Sequence, residues 1–401
     1  HGEPLADLTG PYDLITMVAV LHHLEARSAL AEVRRLLAPG GRFLVVGLAR
    51  PQTPADHAWD VWCLLTNPVI GLVKHPRRAP AGPLIYTGGL ENYRALVRRL
   101  AKQRPLWGND AAVLNQVRSP RRVASLLDAA GLPCPALRLR ADEVPPQGRW
   151  LVKPLASAGG TGIRFWEGDA TPQTRESRVY IQEFIEGDPC SAVYFGDGKR
   201  GRLLGATRQL IGENWLHCRA FQYCGSIGPL RLAAKSQQTL EKIGDALVAG
   251  SGLKGLFGVD FILSDDVPWP VEVNPRYPAS AEILEFASGV QALAWHRHAF
   301  DSTTYPPILP STAVRPAVVG KAVLFARAPL SFPAEGPWLS ALGRSSQIED
   351  MPAYADIPRA GEIIPAGRPI LTVFARGTDF NNCRERLREC ARELDALFDE
   401  R

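Results

Sequence analysis

Glu272 and Asn274 alternate with Val271 and Val273 in the run Pro270-Val-Glu-Val-Asn-Pro-Arg276. On a strand, that alternation puts the carboxylate and the amide on one face and the two valines on the other. Carboxylate and amide oxygens are hard ligands of the kind Mg²⁺ takes beside a substrate's phosphates. Arg276 follows Pro275, where a fixed positive charge could meet a transferring phosphoryl group. Upstream, the apolar run Gly258 to Leu263 carries one carboxylate, Asp260. Pairing of the two strands would bring Asp260 to Glu272. The alternative is a solvated edge hairpin. The apolar neighbours argue against it, because unpaired charges are costly to bury.

A second chemical stretch begins at Trp150-Leu-Val-Lys153. A lysine on an apolar strand calls for an anion. The loop after it holds Gly159, Gly160 and Gly162 around Thr161, and such glycines let backbone N–H groups cradle phosphate oxygens. The loop fits neither a Walker A sequence, since the lysine precedes the glycines, nor a dinucleotide fingerprint. A plain glycine hairpin is its other reading. Val179 to Gly187 reads as a strand that bends at a glycine. It could offer main-chain N–H and C=O groups to an adenine edge, with Phe184 and Ile185 packing nearby.

The elements that must hold these groups read as alternating strands and helices. Tyr12 to Leu21 is an apolar strand. Arg27 to Leu37 has helical apolar spacing, Ala38-Pro-Gly-Gly41 ends that helix, and Arg42 to Leu48 is a second strand, a βαβ pattern. Residues 50–83, with several prolines and the basic run Lys74 to Arg78, read as a boundary and a solvated linker. Leu84 to Glu91, a helix from Tyr93 to Leu100 and a strand-and-loop at Leu106 to Asn109 make one βα unit plus a remnant. Ser119 caps a helix with Pro120 at its first position, ending at Gly131. Ser236 to Ala249 and Cys383 to Phe398 read as amphipathic helices. Arg208 and Arg219, in and after the run Gly205 to Leu210, could pair with a substrate carboxylate or form surface ion pairs.

Lys153, the glycine loop, Gln182 to Gly187, Asp260, Glu272, Asn274 and Arg276 come in the order of the ATP-grasp ligases. Residues 118–305 resemble that superfamily, and with the flanks the resemblance runs from about residue 84 to 401. It implies that Lys153 holds the α- and β-phosphates of ATP and that Gly159, Gly160, Thr161 and Gly162 close over them. Glu183 and Ile185 contact adenine, beside Gln182 and Phe184. Asp260, Glu272 and Asn274 hold one or two Mg²⁺, and Arg276 stabilises an acyl-phosphate transition state. Arg121 or Arg122 stands where relatives place an early phosphate contact. Pro189 stands where many relatives carry a ribose-binding glutamate, and Asp188 is the candidate substitute. Ala355 to Phe374 resembles the small β lid of biotin-carboxylase-type proteins. No biotinyl-lysine motif occurs, and Lys321 reads as a strand-end surface lysine.

Tyr12-Asp-Leu-Ile, Val20-Leu-His-His-Leu24 and Leu36 to Val46 resemble the later part of a class I S-adenosylmethionine-dependent methyltransferase, over about residues 8 to 75. The glycine-rich turn and acidic strand end that bind the cofactor in that family do not occur here. His22 and His23 are read as strand-end residues rather than catalysts. The chain begins at His1 inside what reads as a domain, so a longer parent chain is expected.

The expected fold is therefore α/β and α+β. It is an ATP-grasp fold with a truncated Rossmann-like pre-grasp unit, an N-terminal partial Rossmann-like methyltransferase fragment and a small β-rich C-terminal lid. The expected divisions are 1–80, 81–117, 118–310 and 311–401. The expected activity is ATP- and Mg²⁺-dependent ligation of a small-molecule carboxylate to an amine or thiol. Methyl transfer by the N-terminal part and a non-catalytic nucleotide-binding role are the alternatives. A net charge of +5 over 401 residues gives no strong footprint for nucleic acid. Seven scattered cysteines with no C-x-x-C fit reduced thiols, and no apolar run reaches membrane-spanning length, so a cytoplasmic enzyme without membrane or nucleic-acid partners is expected. Its oligomeric state is left open. Residues 1–80 are expected not to bind S-adenosylmethionine on their own; measurable binding by calorimetry would overturn this.

Overall fold

The computed structural model describes residues 12–18, 34–46, 83–157, 159–168, 179–308, 318–339 and 351–399. Its contacts divide the chain into two compact units, Glu3–Ala111, and Ala112–Arg401 with His1–Gly2.

In the first unit, β1 (Tyr12–Val18) and β2 (Leu37–Val46) pair in parallel, as a βαβ pattern requires. Strand β2 starts earlier than the expected Arg42. Tyr12 faces Leu37, then an irregularity sets Leu14 against Arg42. The Pro-Gly-Gly stretch is thus absorbed as an interruption within the strand, a place where extra residues are tolerated. His22, His23 and the basic run Lys74 to Arg78 lie outside the described residues. Further on, Leu84 makes an isolated parallel bridge to Leu106, and the Tyr86 hydroxyl donates to the Asn109 carbonyl at 2.6 Å. Helix α1 (Arg94–Ala101) buries Val97.

The second unit opens with α2 (Ala111–Val117), which its sequence did not announce, and α3 (Pro120–Ala129). Pro120 takes the first helical turn as expected, but the Ser119 side chain makes no capping bond. A four-stranded antiparallel sheet follows, from β3 (Leu137–Arg138), β4 (Trp150–Pro154), β5 (Arg164–Phe165) and β6 (Val179–Glu183), in the order β3-β6-β4-β5.

The larger sheet begins with β7 (Asp188–Asp197), β8 (Gly201–Ile211) and β9 (Tyr223–Gly228). After helix α4 (Ala234–Ser251) come β10 (Lys254–Ser264), β11 (Val267–Asn274), α5 (Ala281–Ser288) and α6 (Ala292–Phe300). Strands β12 (Val318–Phe325), β14 (Tyr354–Ala355) and β16 (Pro369–Gly377) complete it, while the short β13 (Leu330–Ser331) and β15 (Ile363–Ile364) pair with each other as a separate ribbon and α7 (Phe380–Asp399) ends the unit. The eight-stranded order is β11-β10-β7-β8-β9-β12-β16-β14, so the segment read as a lid extends the same sheet.

This sheet is covered on both faces, which explains the near-continuous apolar runs of β7 and β10. Ala192, Tyr194, Phe257 and Val259 pack with Leu240, Ile243 and Leu247 of α4. The alternate residues Val193, Phe195 and Leu256 pack with Leu284 of α5 and Trp295 of α6. Helix α7 closes the C-terminal part by burying Cys383, Leu387, Ala391 and Leu394. Among the described residues no helix is long and apolar enough to cross a membrane. Leu387 is fully buried, so Leu387→Ala should cost about 2–5 kcal/mol by the loss of packing and the cavity left behind. A lowered urea midpoint at unchanged slope checks this.

Candidate functional site

Strands β10 and β11 pair with Asp260 directly opposite Glu272. Just beyond, Phe261 faces Pro270, so Val271 is an extra residue in β11. Pro268 and Pro270 lack N–H groups and are tolerated because β11 is the edge strand. The bulge turns the Val271 carbonyl toward the small sheet. There it accepts a hydrogen bond at 3.2 Å from Lys153 Nζ, which also donates to Gln182 Oε1 at 3.0 Å. Lys153 therefore spans from β4 to the acidic strand. It is only 7% exposed, and the described residues give its ammonium two neutral acceptors and no carboxylate in contact. Burial pulls its pKa below the ordinary amine value, while Glu272 and Asp260 pull the other way.

The two carboxylates differ. Burial, then the charge of Glu272, pushes Asp260 up to about 6. Its oxygens accept from Gln209 Nε2 at 3.1 Å and Asn274 Nδ2 at 3.0 Å, and Ser191 adds a third bond. Burial also works against ionisation of Glu272, but Arg118 and Lys153 outweigh it and hold the group below its usual value. Arg118 donates to Glu272 Oε1 at 2.7 Å and to the Val273 carbonyl at 3.2 Å. Arg276 donates to Asn274 Oδ1 at 3.3 Å and to the Tyr277 carbonyl at 3.2 Å. Asn274 thus links Asp260 to Arg276.

The glycine loop packs against the β8–β9 connection. Tyr223 N–H donates to the Gly159 carbonyl at 3.3 Å. A Cβ on Gly160 would lie 1.7 Å from the Phe221 carbonyl oxygen, and its φ of +78° is left-handed, so this position admits only glycine. Thr161 and Gly162 are exposed in the same turn. Phe165, Phe184 and Phe221 stack edge to face at 5.3 and 5.4 Å, and the Arg149 guanidinium lies over Phe165 and Phe184. The Glu183 N–H donates to Ala136 and the Phe184 N–H to Arg149. An adenine contact at Glu183 therefore has to use its carbonyl. Ile185 lies just beyond, half-buried.

Arg121 is exposed on α3 and Arg122 donates to Gln116, while the basic residue that reaches the acidic pair is Arg118. Asp188 forms an ion pair with Arg208, whose guanidinium also lies 4.7 Å over Phe380. That pairing competes with a ribose contact for the one and with a substrate carboxylate for the other. Lys321 is not a surface lysine. It lies within β12, 7% exposed, and pairs with Glu282. Gln209, Ser191 and Arg118 were missed because each reaches Asp260 or Glu272 only through tertiary pairing.

Asp260, Glu272 and Asn274 offer only oxygen atoms as ligands, and among the described residues no group of three or more His, Cys, Asp or Glu side chains could hold a metal. Two carboxylates and an amide suit a hard cation that completes its shell with water and substrate oxygens, as Mg²⁺ does. The raised Asp260 pKa marks negative charge that such a cation would relieve.

Residues 120–280 match the ATP-grasp domain family, and residues 3–45 match a methyltransferase domain. The described residues have the mixed α/β architecture and large antiparallel sheet of the ATP-grasp fold. The L-amino acid ligase from Bacillus licheniformis superposes with a TM-score of 0.62 at 16% identity, over 96% of this chain and 98% of that one. A biotin carboxylase from Campylobacter jejuni gives 0.59 at 14% identity, over 93% and 83%. These likenesses are of fold. Among curated relatives, the carbamoyl phosphate synthase large chain of Beutenbergia cavernae is 26% identical over 239 residues, 52% of this chain and 21% of the relative. The 3-methyl-D-ornithine–L-lysine ligase of Methanosarcina barkeri is 22% identical over 177 residues, 44% of each chain. The chain thus spans about a fifth of the first relative and under half of the second.

Removing the Arg118 charge should expose the electrostatics of Glu272. A depressed folded-state carboxylate pKa stabilises above the unfolded value and loses that stabilisation as pH falls through the folded one. Arg118→Met should therefore cost about 1–3 kcal/mol at pH 7, discounted for the partial exposure of Glu272. The deficit should shrink as pH falls below the ordinary glutamate range. Denaturant titrations in chelator across pH 3–7 test this, and a pH-independent deficit would contradict it.

Proposed function

We propose that this chain is an ATP- and Mg²⁺-dependent ligase that activates a substrate carboxylate as an acyl phosphate and joins it to an amine or thiol. The observation that carries the reading is Lys153. It is a buried ammonium on the strand that leads into the glycine loop, held by two neutral oxygens, one of them on the strand that bears Glu272. Such a cation is matched to a phosphate chain. The fold shared with the L-amino acid ligase, and the weaker sequence likeness to ligases and synthases, support the same reading.

Each residue then has a task. Lys153 and the N–H groups of Gly159, Gly160, Thr161 and Gly162 hold nucleotide phosphates, and Gln182 fixes the lysine. Phe184 and the main chain of Glu183 and Ile185 border the adenine. Asp260, Glu272 and Asn274 hold Mg²⁺, which when bound supplies charge neutralisation at the transferring phosphoryl group. Arg118 keeps Glu272 ionised and aimed. Arg276, fixed by Asn274 and the Tyr277 carbonyl, places positive charge where the acyl phosphate develops. In the first step a carboxylate oxygen bonds to the γ-phosphorus and ADP leaves with the electron pair. In the second step the nucleophile bonds to the acyl carbon and phosphate leaves. No protein nucleophile is required, because positioning and electrostatics do the work.

Glu272→Gln keeps the side-chain volume while removing the charge. It should fold, and should lose about 10²–10³-fold in turnover, the range seen when a transition-state electrostatic group is removed. Phosphate release in the presence of a panel of carboxylates and amines measures this. Wild-type turnover in the variant would overturn the metal assignment.

A further inference from the structure

Lys321 has no task in the steps above, yet it is one of the most fully buried cations of the fold. Its neighbours follow from register. On β8, β9 and β12, Gln209 faces Ser226 and Ser226 faces Lys321, so the three side chains share one face of the sheet. Gln209 is the residue that donates to Asp260. The Tyr223 hydroxyl, 2.9 Å from Ser226 Oγ, feels the charges of Lys321 and Glu282 on one side and of Asp260 on the other. A polar row therefore leads from the acidic pair to Lys321.

At its end, Lys321 Nζ donates to the Ala279 carbonyl at 2.7 Å and to Glu282 Oε1. Burial opposes the charge on Lys321, but Glu282 more than offsets this and raises its pKa. The ammonium is thereby fixed, and it fixes Glu282 in turn. The Glu282 side chain is 35% exposed, and among the described residues its second oxygen, Oε2, has no partner. Glu282 lies in the first turn of α5, six residues beyond Arg276 on the same connection. The result is one immobilised, partly exposed carboxylate close along the chain to Arg276.

We propose that Glu282, held by Lys321, is the recognition site for the nucleophile, and that this nucleophile is a primary amine entering as its ammonium ion. The inference rests on the ligase reading and narrows it. An ammonium ion gains a charge-assisted hydrogen bond from a fixed carboxylate, whereas a thiol gains little and a thiolate is repelled. Lys321 keeps the pair neutral overall, so an arriving cation meets an oriented oxygen without leaving an uncompensated anion in the empty site. On reaction the nitrogen loses two protons, one to the departing phosphate and one to solvent. The C–N bond forms as the C–O bond to phosphate breaks.

Hydroxylamine separates recognition from chemistry, because it is largely uncharged at neutral pH and traps acyl phosphates without an ammonium site. The full chain is supplied with MgATP and a carboxylate panel, and then with either hydroxylamine or a panel of primary amines and matched thiols. In Glu282→Gln, kcat/KM for the amine should fall at least ten-fold while hydroxamate formation changes less than two-fold, and Glu282→Asp should recover part of the loss. Lys321→Met should act in the same direction. Equal losses for amine and hydroxylamine, or no loss for either, would overturn the proposal. So would a wild-type protein that forms hydroxamate but couples thiols in preference to amines, and the ligase reading would survive that result. Absence of hydroxamate with every carboxylate would remove the ligase reading, and this inference with it.

Discussion

Like charges directly opposite one another on neighbouring strands destabilise a sheet, and Asp260 opposite Glu272 is such a pair. Much of the surrounding structure answers that repulsion. Arg118 and Lys153 bring positive charge to Glu272, Gln209 and Asn274 donate neutral hydrogen bonds to Asp260, and Arg276 stands two residues beyond the strand end. The compensation is uneven: Glu272 stays ionised and Asp260 is the strained member. A site that keeps one carboxylate charged and the other raised suits a bound cation.

The same constraint joins the two sheets. The bulge at Val271 gives Lys153 an acceptor on β11, so the small sheet is tied to the large one at the point of highest negative charge. The second tie is the glycine loop against the β8–β9 connection, through Tyr223 and Phe221. That connection is itself anchored at its far side by α7. His217 Nε2 lies 2.9 Å from Asp395, Arg384 pairs with Glu213 at 2.8 Å, and Arg388 lies over Trp215. The C-terminal helix therefore supports the surface on which the glycine loop rests.

What could be read in the sequence was local. Two-residue alternation placed Asp260, Glu272 and Asn274 on strands, an apolar run placed Lys153, and consecutive glycines marked the loop, and the structure puts all of these together. What could not be read was which distant residue fills a gap. Arg118 and Arg121 look alike in the sequence, but one helical turn decides that Arg121 faces solvent while Arg118, just before α3, reaches 154 positions along the chain. Lys321 misled for the same reason. A lysine in Gly-Lys-Ala-Val looks like a strand end, yet β12 is paired on both edges, to β9 and β16, and its partner Glu282 comes from a helix 39 positions earlier. Helix α2, at seven residues, is too short for periodicity to announce.

The distribution of arginines sharpens what the site can select. Arg208 is occupied by Asp188 and stacked on Phe380, and Arg219 is exposed. Neither lies at the acidic pair, where Arg118 is already bonded to Glu272 and the second guanidinium, Arg276, is tied to Asn274. Its main chain and side chain are both tied to Asn274, so its position is set by the strand that carries the acids. Arg276 beside the acidic pair and Glu282 held by Lys321 further along would give the proposed reaction a direction, a substrate anion being drawn to the first and a substrate cation to the second. Charge order along one sheet face, rather than the size of any single interaction, is what would keep the two substrates from exchanging places.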